Sequence, residues 1–374
     1  MAKSNNSDKT PHLHTNGTEA VSDKAKSPNG DSGRNDHREQ VESPEILRRR
    51  MLRDGVLLHG PTRDRFYLLH PLVCNEVHVI TKAIQEAYST IEQVIVHRDP
   101  GTCLIADFRI GKSRGIQVIK NELSKTFPDI PLGVINAKHH DSPTERRFYI
   151  DVLTDFRHGG ALYGSAAELR ERFLAFIEAS ARSTGSDRYL LFVDEGQNWH
   201  ASEFTYLRDI TNDMRQRNVN LITIIFGHPE LYNIRQQLLH KRRTDLVGRF
   251  LLTPREFRGL RDADELLYTL QSYDDATQCE FPPGTGISIS EFFLPEAYGG
   301  GWRLKDEVMG MWNAFLTVAG RTGHKAKNIG MQWVASAIRN FLFSHYAADS
   351  PHFCCDEKAW VLAVEASGYE SSLP

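Results

Sequence analysis

From Arg188 to Glu195 the chain reads RYLLFVDE, an apolar run without polar alternation that ends on two adjacent acids. A strand that is apolar on both faces must be covered on both faces, which points to a parallel sheet between layers of helix. Three more runs share this character: TCLIADF, IPLGVINAK from Ile130 to Lys138, and NLITIIFG from Asn220 to Gly227. The stretches between them carry helical spacing instead. In SAAELRERFLAFIEASARS, Leu169, Phe173, Phe176 and Ile177 fall on one helix face. Helices are also expected after Ser113, from about Pro143, and around residues 202–217. Beyond about residue 259 the strand signal fades, and DADELLYTLQSY and LKDEVMGMWNAFLTVA read as helices. The expected fold class is α/β, a three-layer αβα core with a parallel sheet, followed by a smaller helical unit without internal repeats.

Residues 1–42 are rich in Ser, Asn, Asp, Lys, Gly and His and nearly free of large apolar side chains. Such a segment cannot bury enough surface to offset the entropy of ordering, so a disordered tail is expected, either a partner-docking arm or an inert extension. Arg48-Arg49-Arg50 marks its end, and the division becomes tail 1–42, α/β core 43–258, and helical unit with C-terminal extension 259–374. The 374 residues carry a net charge of −3, so any nucleic-acid surface has to be local. Five scattered cysteines (Cys74, Cys103, Cys279, Cys354, Cys355) show neither zinc spacing nor a disulfide framework. No apolar run is long enough to span a membrane, and the N-terminus has no secretory pattern, so a cytoplasmic protein is expected.

The strand TCLIA runs into Ala106-Asp107-Phe108-Arg109-Ile110-Gly111-Lys112-Ser113-Arg114, and a helical pattern follows. A phosphate-binding loop works because successive backbone N–H groups and a helix N-terminus face the anion while a lysine reaches the β- and γ-phosphates. Lys112 fills that role here, and the Ser113 hydroxyl is placed for Mg2+. Ala106 stands where such loops usually begin with glycine. The alternative is a plain strand–helix unit with a solvated Lys112.

RYLLFVDE decides between them. A nucleotide hydrolase needs an acid at the end of a neighbouring buried strand to hold magnesium, and a base to direct water. Asp194 and Glu195 supply these, and two adjoining carboxylates at a buried strand end are costly unless a cation sits there. His228 follows the strand NLITIIFG and is placed to sense the γ-phosphate through water. The expected ligands are ATP and Mg2+.

With these elements placed, the chain resembles the AAA+ ATPases of the TniB/TnsC type, which regulate DNA transposition. The resemblance covers about residues 64–260. It runs through LLHPLV with His70-Pro71, the GKS loop, KHHDSPTERRFYIDVL with Pro143, Thr144, Phe148 and Tyr149, then LLFVDEGQN, FGHPEL and LVGRFLLTPREF. Two departures are Ala106 and His228, where relatives carry glycine and Thr, Asn or Gln respectively.

The resemblance implies a five-stranded parallel sheet with a helical lid, and ATP held between neighbouring subunits of a ring or helical filament on duplex DNA. A transposase and a target-selection protein would be its partners. It also implies an arginine reaching the neighbour's γ-phosphate: Arg249 is the first candidate, with Arg242 and Arg243 in reserve. In GGGWRLKDE, Arg303 matches a lid arginine directed at the γ-phosphate, although Asp306 would serve equally well as its partner. DNA backbone contacts would come from Lys138, Thr144, Arg146 and Arg147, with Arg208, Arg215 and Arg217 as a second patch. Two rivals remain: an AAA+ ATPase of a secretion or cell-wall system, and a nucleotide-gated signalling module that does not hydrolyse.

Overall fold

The computed structural model describes residues 43–373, so the expected tail at 1–42 lies outside the described residues. Five strands form one parallel sheet: β1 (Gly101–Ile105), β2 (Leu132–Asn136), β3 (Arg188–Asp194), β4 (Asn220–Gly227) and β5 (Arg255–Glu256), in the order β2-β3-β4-β1-β5. Alternation along the strands builds two cores. Cys103, Ile105, Tyr189, Leu191, Val193 and Ile225 point to one face. Leu104, Leu190, Phe192, Ile222, Ile224 and Phe226 point to the other. Both faces are apolar, which is why these strands read as continuous runs.

Helices α3 (Lys82–His97), α4 (Lys112–Thr126), α5 (Glu145–Asp155), α6 (Ala166–Ser183), α7 (Ala201–Gln216), α8 (Glu230–His240) and α9 (Thr244–Phe250) accompany the sheet. Ser165 and Glu168 close a reciprocal capping box at the start of α6, and Thr144 caps α5 by accepting from Arg147 N. The C-terminal part is helical: α10 (Ala263–Asp274), α11 (Ala276–Cys279), α12 (Ile289–Phe293), α13 (Pro295–Gly299), α14 (Val308–Arg321), α15 (Met331–His345) and α16 (Glu357–Ala366).

Packing departs from the expected boundary at 258. Before the sheet come α1 (Pro44–Leu57) and α2 (Pro61–Leu69). Val56, Leu72, Val77 and Val79 from this N-terminal stretch join the helical core of Leu266, Phe292, Phe315 and Phe341 rather than the sheet cores. Two buried polar side chains lock the arrangement. Arg63, 1% exposed, donates to the carbonyls of Phe292 and Phe293 and lies over the Tyr346 ring. His70 is enclosed by the rings of Phe281, Phe292 and Phe293, with centroids 4.4–4.9 Å away. The His-Pro element therefore seals the first described helices to the helical unit. The five cysteines are free. Among the described residues no helix is long and apolar enough to cross a membrane.

Candidate nucleotide site

The parallel register brings the functional ends of three strands side by side. Ile105 pairs with Gly227, and Val193 with Ile225, so the loops leaving β1, β3 and β4 open on the same edge. That edge is where open α/β sheets bind ligands. Ala106 N donates to Gly227 O at 2.9 Å, continuing the β1–β4 ladder by one residue before the chain turns. The φ of Ala106 is not positive, so alanine fits there without left-handed strain. Gly111 does require its residue type: it has φ 109°, a conformation a side chain would strain. Lys112 then begins α4, and the helix N-terminus faces the opening of the loop.

A cleft of about 510 Å3 lies against this loop, with Asp107, Phe108, Arg109, Gly111, Lys112 and Ser113 along one wall. Five side chains predicted from the sequence meet at its edge. Ser113 Oγ donates to Asp194 Oδ2 at 3.1 Å, and Lys112 Nζ stands 3.3 Å from Glu195 Oε1. His228 Nε2 is 3.8 Å from Glu195 Oε2, and the His228 ring stacks near Phe108. Burial raises the Asp194 pKa, aided by the neighbouring Glu195 charge and opposed by the Ser113 hydrogen bond and Lys112. Burial acts the same way on Glu195, yet hydrogen bonding from Gln197 and the charge of Lys112 bring its pKa below the ordinary value. The two acids at this strand end are thus shifted in opposite directions, Asp194 upward and Glu195 downward.

The remaining predicted residues fall elsewhere. Arg303 does not line the cleft: its guanidinium donates to the carbonyls of Tyr298 and Trp302 at 2.7 Å and lies over the Tyr298 ring. The glycine turn and helix start that pointed to it are real, but they open the short turn Leu304–Glu307, capped by Asp306. The cleft instead receives α15, whose Met331, Gln332, Ala335, Ser336 and Arg339 recur at helical spacing along its wall. Met331 N donates to Ile110 O at 3.3 Å, joining this helix directly to the phosphate loop. Arg339 sits on a helix without any local motif, so only tertiary packing reveals it.

Arg249 is likewise outside the cleft of its own chain. It donates to Asn212 Oδ1 at 2.7 Å, and burial together with the nearby Arg208 and Arg215 lowers its pKa. Arg243 is held by Asp245 and by Thr205 Oγ1, while Arg242 adopts a left-handed backbone with φ 56°. In the first basic patch, Lys138 Nζ lies 3.5 Å from both Asp151 and Asp155, and Arg147 Nε is 3.4 Å from Asp151. Arg146 braces the following loop by donating to the carbonyls of Leu162 and Gly164. In the second patch, Arg208 pairs with Asp209 and Asp245, and Arg217 with Glu171 and Glu178. Arg215 is exposed on α7.

The sheet, loop and helical C-terminal part form an AAA+ P-loop fold, and residues 96–234 match the family model described as an AAA domain. Among solved structures, the ORC2 protein of Aeropyrum pernix in ADPNP–ADP complexes aligns with TM-score 0.50 and 10% identity, covering 76% of this chain. The chain spans just under two thirds, 66%, of that protein. Domain III of the replication initiation protein DnaA from Thermotoga maritima aligns more loosely, with TM-score 0.43, 16% identity, and coverage of 77% of this chain and 93% of that one. No curated protein matches the chain by sequence.

The site's donor set fits Mg2+ and a triphosphate. Magnesium favours hard oxygen ligands and keeps much of its water, which suits the Ser113 hydroxyl and the Asp194 carboxylate at this spacing. Lys112, 7% exposed, and the start of α4 supply the positive end of the cleft.

Proposed function

We propose that this chain is an ATPase whose nucleotide lies between adjoining copies in an assembly on duplex DNA, where it recruits or activates a transposase. The observation that carries the ATPase reading is the meeting of Lys112, Ser113, Asp194 and Glu195 at one cleft. Lys112 and the backbone of residues 106–114 hold the phosphates, and Ser113 and Asp194 hold the magnesium shell. Bound Mg2+ would neutralise charge on the phosphate oxygens. Glu195 accepts a proton from the attacking water. His228 faces the same space from β4, and Arg339 reaches it from the helical unit.

The shared site is supported by where Arg249 lies. Phosphoryl transfer gains from a cation at the γ-phosphate as charge moves, and Arg249 lies outside its own cleft, bonded among the described residues to an amide oxygen and a carbonyl. It therefore serves the neighbouring copy. The transposition assignment rests on the motif resemblance at His70-Pro71, Pro143-Thr144, Phe148-Tyr149 and the run from Gly227 to Leu231. A second reading, an AAA+ ATPase that does not act on DNA, is favoured by the internal pairing of Lys138, Arg147, Arg208 and Arg217. The test is an ATP-dependent mobility shift of non-specific duplex at low salt. The proposed function predicts a shift that disappears in Lys112→Ala, whereas ATP binding without any shift selects the second reading.

A further inference from the structure

Glu195 is gripped by a residue outside the loop and outside the acidic pair. Gln197 Nε2 donates to Glu195 Oε2 at 2.5 Å, and Gln197 Oε1 accepts from the backbone N–H of His228 at 2.9 Å. The second bond dictates the first. A backbone N–H can only donate, so the amide oxygen must face His228 and the amide NH2 must face the carboxylate. The amide thereby bridges the exit of β3 and the tip of β4, strands that are neighbours in the sheet. Gly227 leaves room for it: a Cβ there would stand 2.8 Å from Gln197 Oε1 and 2.4 Å from a methyl carbon of Leu231.

The strand does not by itself aim Glu195. Its backbone has left-handed φ, 56°, so the side chain departs from the β3 direction and takes its orientation from contacts. Three neighbours face it besides Asp194: Gln197, Lys112 at 3.3 Å and the His228 ring at 3.8 Å. The His228 separation is too long for a hydrogen bond. Lys112 is the residue that must turn to the phosphates when ATP binds. Gln197 is left as the contact that holds the carboxylate during the reaction.

We infer that Gln197 is a positioning residue for hydrolysis, its amide aiming the Glu195 carboxylate at the attacking water and tying that aim to the tip of β4. The inference rests on the ATPase reading of the cleft. In the step concerned, the water oxygen forms a bond to the γ-phosphorus and the bond to ADP breaks, its electron pair leaving on ADP. The water proton passes to Glu195. Misdirecting the base slows that step and leaves the phosphate contacts intact.

The test uses the full chain with Gln197→Met, which keeps length without hydrogen bonding, and Gln197→Glu, which keeps an acceptor for His228 but loses the donor. Steady-state hydrolysis, direct ATP binding and thermal unfolding are measured for each. A loss of orientation predicts a fall in kcat of about 10- to 100-fold. The KM for ATP and direct binding stay within about twofold of wild type, because ground-state contacts are untouched. Unchanged kcat in Gln197→Met overturns the inference. So does a joint loss of kcat, ATP binding and thermal stability, the pattern of a purely structural role. Glu195→Gln run alongside separates the two levels. Wild-type hydrolysis in Glu195→Gln removes the ATPase role of Glu195 itself, whereas an inactive Glu195→Gln beside a fully active Gln197→Met removes only the positioning role.

Discussion

Ala106 shows how a departure from a motif is judged by backbone rather than by pattern. Its N–H completes a ladder bond to Gly227 and its side chain is 2% exposed, so the strand simply continues through it. Restoring the glycine adds conformational freedom to the unfolded chain and removes a packed methyl. Ala106→Gly is therefore expected to leave ATP affinity unchanged and to lower stability by roughly 0.5–1 kcal/mol, as read by nucleotide titration and urea unfolding. The acidic pair and the loop lysine were legible in the sequence because each belongs to a short contiguous segment whose chemistry is local. Gln197 was in view in the same segment, but its role depends on the backbone of His228, 31 positions away, and no spacing rule exposes such a bridge.

At the scale of elements, the strands and the helix after the loop were readable because burial on both faces and 3.6-residue spacing leave strong marks. The wall opposite the loop was not. Arg303 lay in a conspicuous glycine-rich turn, whereas Arg339 lies in the middle of α15, an ordinary amphipathic helix. What distinguishes α15 is its placement: Met331 bonds the loop carbonyl of Ile110, and the face carrying Gln332, Ser336 and Arg339 runs along the cleft. Arg339→Ala is expected to weaken ATP binding by about tenfold, the scale of one charged hydrogen bond, while Arg303→Ala changes it little. Titration with a fluorescent ATP analogue compares the two directly, and equal losses would contradict the assignment.

Across the whole molecule, the helical unit reaches back to the first described helices, which a linear reading of 43–258 as one unit did not anticipate. The joint is held by groups that composition cannot rank, above all His70. Its Nδ1 accepts from Leu72 N, so the proton sits on Nε2, which is buried without a partner. Burial lowers its pKa to about 3 from 6.5, so the folded state keeps the ring neutral while the unfolded chain takes up a proton below 6.5. Stability should therefore fall as pH drops from 6.5 toward 3, at up to roughly 1.4 kcal/mol per pH unit from this ring. Carboxylates such as Asp274 and Glu291, whose pKa values burial raises, contribute with the opposite sign. They are common to wild type and His70→Phe, so the difference in their pH slopes isolates the histidine. Urea midpoints at pH 7, 5.5 and 4.5 would show the variant losing less stability than wild type on acidification.

The same scale carries the central claim, that one copy completes the next copy's nucleotide site. Lys112 and Glu195 belong to the cleft of their own chain, while Arg249 lies outside it, bonded to Asn212. The most direct measurement mixes Lys112→Ala with Arg249→Ala in the presence of duplex DNA and follows ATP hydrolysis. Each variant alone should be nearly inactive, and the mixture should recover activity, because an intact cleft on one chain can meet an intact Arg249 on its neighbour. A mixture no more active than the sum of its parts would contradict a site shared between subunits.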